Sequence, residues 1–221
     1  RIPYIVAVRD TDVNIFFKYR LTLRKLGIEI LKEAEKIIFL SPSYRDLVLK
    51  KYVPKHLIKD FQSKSLVIPN GIDEFYLKNK WLRGDLFDKN EINIITVGYI
   101  SRRKNQLTVC KAIDRLKKEH GMNVNYIVVG KILDKKVFKK LKKYSFVNYV
   151  PFLPKEELIK EYRKADIYVM PSITETFGLT YAEAMSQGLP IIYTKNQGFD
   201  GQFEEGTVGY SVNSTNYNEI A

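Results

Sequence analysis

Two histidines, one cysteine and one tryptophan in 221 residues leave this sequence short of the side chains that ligate metals or staple small folds. A single thiol, Cys110, excludes an internal disulfide framework and suits a reducing compartment; inside a predicted helix it reads as a small buried apolar group. His56 and His120 stand in separate elements, with no cysteine or carboxylate at ligand spacing, so no metal site is expected. No apolar run approaches the roughly 20 residues of a membrane-spanning helix. Nor is there a signal peptide: the chain opens Arg1-Ile-Pro-Tyr-Ile-Val-Ala-Val8, strand-like and without a starter methionine, as expected of a start inside a larger protein. Gly-x-Gly-x-x-Gly, a P-loop and a serine nucleophile elbow are all missing.

What is present is a folded, basic chain. Hydrophobic residues make up 45%, enough for a sizeable core. The net charge of +12 is uneven: residues 1–90 carry +7, residues 91–160 carry +10 and residues 161–221 carry −5. A basic middle feeding an acidic end is not a uniform nucleic-acid stripe, and recognition motifs for DNA or RNA are absent, so no nucleic-acid partner is expected. It fits attraction of an anionic substrate or rest on an anionic membrane surface.

Taken in order, Ile2–Val8 reads as a buried strand, and residues 14–35 as helical with Gly27 as a break. Residues 37–40 form a short buried strand. Ser41 then caps a helix with Pro42 in its first position, running to about Tyr52. A strand at 66–69 leads to the turn Asn70-Gly71, and residues 74–90 read as a linker that Trp81 staples to a surface. From Ile92 onward strands at 92–97, 124–129, 147–150 and 167–170 alternate with helices at 106–120, about 134–143 and 155–163. Such alternation calls for a parallel sheet covered on both faces, with ligands at the carboxyl ends of the strands. Gly98 to Lys104, Gly130-Lys131, Pro151-Phe152 and Glu175 to Thr180 all follow strands. Most lysines between 131 and 143 read as a solvated outer face.

The stretch 171–190 organises the second half. An apolar strand stops at Pro171, a polar loop with Glu175 follows, and a helix containing Glu183 runs until Gly188 and Pro190 end it. A helix N-terminus with a nearby glycine, Gly178, favours an anion. The two acids suit sugar hydroxyls on either side of it. The plain alternative is an ordinary βαβ crossover with a solvated glutamate at each place.

Several motifs together resemble the retaining glycosyltransferases of family 4. Glu175-Thr-Phe-Gly-Leu-Thr-Tyr-Ala-Glu183 resembles their E-x7-E signature, set among Ala165-Asp166, Pro171-Ser172, Glu183-Ala-Met185 and Gly188-Leu-Pro190. Pro69-Asn-Gly-Ile-Asp73 is similar to their passage between domains, and Val97-Gly-Tyr-Ile-Ser-Arg-Arg-Lys-Asn105 to their phosphate loop. The resemblance implies an α/β fold of GT-B type. Residues 1–73 would be a partial acceptor-side Rossmann-like domain, 74–90 a linker, and 91–221 a Rossmann-like donor-binding domain with a parallel sheet. It further implies a fragment lacking the first acceptor-side strands and the final C-terminal helix.

By the same resemblance the activity is hexosyl transfer with retention and without a metal or cofactor. The donor would be a nucleotide-diphosphate sugar of UDP or GDP type and the acceptor a glycan, a lipid-linked compound or a small molecule, in surface polysaccharide or glycolipid biosynthesis. A cytoplasmic location follows, with peripheral attachment to the inner face of the membrane. The catalytic positions are Glu175 on the donor sugar, Lys104 on the diphosphate and Arg9 near the sugar or acceptor. Donor-binding positions are Glu183 on the ribose, the backbone of Phe177, Gly178, Leu179 and Thr180 on sugar and phosphate, the loop Gly98 with Arg102 and Arg103, and Gly130 and Phe152 beside the base.

Three departures stand out. Tyr99 occupies a position where the family commonly has arginine, so Arg102 or Arg103 is expected to supply that charge. Arg9 stands about where the family often has a histidine, and the usual second glycine after Gly130 is missing. A non-catalytic nucleotide-sugar-binding module and a glycogen- or sucrose-type synthase are therefore alternatives.

Overall fold

The computed structural model describes residues 2–10, 12–82, 84 and 91–221; Arg1, Thr11, and positions 83 and 85–90 of the expected linker lie outside the described residues. Contacts divide the chain into two units.

The first unit comprises residues 1–70 with 175–177 and 196–202. In it β1 (Ile5–Ala7), a π-helical turn (Asp12–Phe17), α1 (Leu21–Glu33), β2 (Lys36–Phe39), α2 (Pro42–Tyr52), α3 (Ile58–Ser63) and β3 (Ser65–Val67) follow one another. The strands pair in parallel in the order β1-β2-β3. Ser41 caps α2, its side chain accepting from the Tyr44 amide at 3.1 Å. The core gathers Ile28, Leu31, Ile37, Phe39, Val48 and Phe61. Two expectations are corrected. The first strand is short and largely uncovered, with Ile5 60% exposed, because it lies at the edge of the sheet with one described neighbour. Gly27 does not break α1; a Cβ there would sit 2.9 Å from the Phe17 ring, so the glycine makes room for that ring.

The second unit comprises residues 71–174, 178–195 and 203–221. It runs α4 (Glu74–Lys78), β4 (Ile92–Val97), a 3-10 turn (Arg102–Lys104), α5 (Gln106–His120), β5 (Val124–Val129), α6 (Lys135–Leu141), β6 (Val147–Val150), α7 (Lys155–Lys164), β7 (Ile167–Val169), α8 (Leu179–Ser186), β8 (Ile191–Thr194), β9 (Gly209–Val212) and α9 (Tyr217–Ile220). All strand pairs are parallel, in the order β6-β5-β4-β7-β8-β9. Two strand runs thus diverge from the β4–β7 pair, the doubly wound arrangement that opens a crevice at their carboxyl ends. One face packs Val109, Cys110 and Ile113 of α5, with Val137 and Leu141 of α6, against Tyr126 and Val128. On the other, Tyr168 of β7 meets Tyr162 of α7 and Tyr181 of α8 at ring separations of 6.1 and 5.5 Å.

The α/β class with parallel sheets expected from the sequence is the one found. The linker, by contrast, begins as helix: Asp73 caps α4, accepting from the Phe75 amide at 2.8 Å, and Tyr76 is buried. A five-residue helix is too short to show a period in the sequence. Trp81 is held through its amide, which donates to the Ser186 carbonyl at 3.0 Å. Strand β9 and helix α9 were not anticipated at all.

Candidate functional site

Strands β4 and β5 each end on a valine followed by glycine. Gly98 and Gly130 have φ of +151° and +146°, and a Cβ on Gly130 would fall 2.0 Å from the Gly98 carbonyl oxygen. Only glycine permits that approach. It opens a cleft of about 560 Å³ over the strand ends, lined by Gly98, Tyr99, Arg103, Lys104, Gly130, Lys131, Phe152, Lys155, Thr180, Glu183 and neighbouring apolar groups.

The 3-10 turn Arg102–Lys104 presents the cations. The Ser101 hydroxyl oxygen accepts from the Lys104 amide at 3.4 Å. The Lys104 side chain runs past Gly98 and its ammonium donates to Met170 Sδ at 3.3 Å. Lys104 is only 8% exposed, so its charge acts in a partly desolvated setting. Arg103 is fastened at both ends: its guanidinium donates to the Thr174 carbonyl at 3.1 Å, and its own carbonyl accepts from the Ile173 amide at 2.8 Å. The Tyr168 hydroxyl donates to Thr180 Oγ1 at 2.6 Å, orienting the first turn of α8, whose preceding residue Gly178 has φ of +80°.

Glu183 lies one turn further along α8. Its Oε2 accepts from the Tyr162 hydroxyl at 3.0 Å, and Tyr76 lines the same cleft. Burial pushes the Glu183 carboxyl above the usual carboxylate range, the two phenols pull it back, and the Asp73 charge adds to the upward push. Across the cleft the Lys131 ammonium sits 4.8 Å from the centroid of the Phe152 ring. Lys155 donates to Asp73 Oδ2 at 2.7 Å. Four cations and one carboxylate among the lining residues suit a ligand with an anionic part and a hydroxyl-bearing part.

Of the residues singled out from the sequence, this cleft unites Gly98, Arg103, Lys104, Gly130, Phe152, Thr180 and Glu183. Arg102 is exposed, and it, Gly178 and Leu179 are not among the lining residues. Arg9, Glu175 and Phe177 belong to the first unit. There the Arg9 guanidinium donates to Asn70 Oδ1 at 2.8 Å and its amide to Asp12 Oδ2 at 2.8 Å. The Glu175 amide donates to Gln197 Oε1 at 3.0 Å, its carboxylate accepts from the Thr176 amide at 3.2 Å, and Thr176 Oγ1 donates to Asp10 Oδ1 at 2.8 Å. Phe177 is buried. Sequence reasoning missed Tyr76, Tyr162 and Lys155; only the position of Lys155, just after a strand and loop, signalled it. No group of three or more potential metal ligands occurs among the described residues.

The family model for glycosyl transferases group 1 matches residues 77–221. The chain belongs to that family. Among curated relatives of this chain, the alpha-monoglucosyldiacylglycerol synthase of Acholeplasma laidlawii is 30% identical over 74% of the chain and 44% of the relative. The O-antigen biosynthesis glycosyltransferase WclY of Escherichia coli is 34% identical over 59% of the chain and 37% of the relative. The chain thus spans less than half the length of these relatives. Among solved structures, HepE of Anabaena in complex with UDP and glucose superposes with a TM-score of 0.71 at 17% identity, over 99% of this chain and 60% of that one. Sucrose-phosphate synthase of Thermosynechococcus elongatus gives 0.73 at 21%, over 98% and 56%. At these identities the superpositions speak for the fold alone.

Proposed function

We propose that this chain carries the donor-binding part, and some of the acceptor side, of a retaining, metal-independent glycosyltransferase. It would move a hexosyl group from a UDP- or GDP-type sugar to a glycan, lipid-linked or small-molecule acceptor in surface polysaccharide or glycolipid biosynthesis. The observation that carries this reading is the cleft at the strand ends, where Arg103 and Lys104 flank a glycine pair opposite a half-buried carboxylate. A nucleotide diphosphate gains negative charge as its bond to the anomeric carbon breaks, and fixed cations beside it lower that barrier. The acceptor hydroxyl oxygen takes its place on the same face, and its proton passes to the departing diphosphate oxygen. In this reading Glu183 accepts from the ribose hydroxyls. Glu175 holds a hydroxyl of the donor sugar, and the amides from Phe177 to Thr180 meet the sugar and the distal phosphate. Arg9 contacts the sugar or acceptor, and Phe152 and Gly130 border the base. Of the two candidate replacements for an arginine at Tyr99, Arg103 is favoured, since it lines the cleft.

The test is a panel of nucleotide sugars offered to the intact protein. Glu175→Ala and Glu183→Ala should each abolish transfer while circular dichroism stays unchanged; full turnover in both variants rejects the reading. Tight nucleotide binding with no turnover on any acceptor favours the non-catalytic module that Tyr99 and Arg9 suggest. Peripheral membrane attachment is part of the proposal. Tyr19 and Leu21 are each 69% exposed and Leu26 is 56% exposed, on a segment that also carries Lys18, Arg20, Arg24 and Lys25. Apolar groups flanked by cations favour an anionic lipid surface. Co-sedimentation with liposomes should rise with anionic lipid content.

A further inference from the structure

We infer that Gln197 is a positioning residue for Glu175: with Gly198 it clips the Glu175 backbone from both sides, which makes the loop 196–202 after β8 a working part of the transfer site. This rests on Glu175 holding a hydroxyl of the donor sugar, as proposed above.

Residues 175–177 and 196–202 both belong to the first unit. The Glu175 amide donates to Gln197 Oε1 at 3.0 Å, across 22 residues of chain. The next residue, Gly198, donates its amide to the Glu175 carbonyl at 2.8 Å. Both main-chain polar groups of Glu175 are thus tied to one short piece of loop. The two stretches run so close that a Cβ on Gly198 would fall 1.9 Å from the Thr176 carbonyl oxygen, an approach open only to glycine. Thr176, 7% exposed, is held separately, its hydroxyl donating to Asp10 Oδ1 at 2.8 Å. Its amide returns to the Glu175 carboxylate at 3.2 Å. A carboxylate on a loop is aimed only as well as its own Cα is fixed, and a misplacement of about 1 Å costs on the order of a hundredfold in rate.

The loop that carries Gln197 is itself braced. Asn196 turns the chain with φ of +58°, and its amide donates to Asp200 Oδ2 at 2.6 Å. Phe199 is buried. Gln202 Nε2 donates to the Leu40 carbonyl at 3.2 Å, just ahead of the Ser41 cap of α2. Gly201 has φ of +78°, and a Cβ there would come within 3.0 Å of Ser43 Oγ. A solvated connection needs none of these ties. Together they give Gln197 a fixed place from which to hold Glu175, the support that a precisely aimed group requires.

The experiment offers UDP-glucose, UDP-N-acetylglucosamine and GDP-mannose to the intact protein and follows release of the nucleoside diphosphate, with calorimetric titration of UDP and GDP alongside. Gln197→Met keeps the length of the side chain and removes its oxygen. With the fastest donor it should lower kcat about ten- to a hundredfold, while the Kd of the nucleoside diphosphate stays within about twofold of wild type. Glu175→Gln should lower kcat at least as far. Wild-type kcat in Gln197→Met, or a kcat loss matched by an equal loss of nucleotide affinity, overturns the inference, and Glu175 keeps its proposed role if Glu175→Gln is slow. Undiminished turnover in Glu175→Gln, or no turnover of any donor by the wild type, overturns the reading of Glu175 and the inference with it.

Discussion

The two sheets follow one rule, parallel strands joined through helices, but differ in how far they enclose themselves. Strand β5 has a neighbour on each side, and five of its six residues are buried. Strand β1 has one neighbour among the described residues, and none of its three residues is buried. The six-stranded unit contains both its own core and the cleft at the strand ends. The three-stranded unit has a core, and among the described residues β1 forms one edge of its sheet. The difference teaches where the cleft is built, since its lining residues all belong to the second unit.

The largest expected effect probes that packing. Gly130→Ala would drive a Cβ into the Gly98 carbonyl oxygen and should destabilise by on the order of 4 kcal/mol in chemical denaturation. Gly27→Ala in the first unit meets the Phe17 ring edge while gaining helix propensity, for a net cost of about 1 kcal/mol. Equal losses would erase the contrast. Hydrogen exchange on the intact chain sharpens it from the other side: β5 amides should be protected by about 2 kcal/mol or more beyond those of β1, and matching rates would refute the difference in enclosure. Lys104→Ala should weaken nucleoside diphosphate binding by about thirtyfold, roughly 2 kcal/mol, leaving the nucleoside without phosphates little affected in calorimetry.

The smallest effect concerns pH. The Glu183 carboxyl is raised in the folded protein, so the folded state holds its proton more tightly than the unfolded chain. The stabilisation this gives is complete below the unfolded value of 4.5 and is lost as pH rises through the folded one. Glu183→Gln should accordingly melt a few degrees higher than wild type near neutral pH, with the gap closing in acid. A gap that widens in acid would reverse the assignment.

Much of the second unit was legible because strands buried on both faces read as short apolar runs ending in glycine or proline. Ile92–Val97 before Gly98 and Val124–Val129 before Gly130 matched the structure residue for residue. Lys104 was singled out because loops after such strands line the crevice, and Glu183 through the E-x7-E resemblance; both line the cleft. The phenols near Glu183 were not legible. Tyr76 sits in a helix shorter than two turns, and Tyr162 has the spacing of any core aromatic on an amphipathic helix. Lys155 opens a helix just after a strand and loop, but its pairing with Asp73, 82 residues away in the chain, has no sequence signal. Edge strand β1 misled because Ile5 and Val6 have the composition of a buried strand, and composition does not count neighbours.

The docking of Trp81 has a practical corollary. It is the chain's single tryptophan, its amide is tied to the end of α8 at Ser186, and the Arg163 guanidinium lies 5.7 Å from its ring. Its fluorescence is therefore a built-in reporter, responding to any rearrangement that frees the segment after α4 from the helix bearing Glu183, and ligand titrations can be followed by light without attaching a dye.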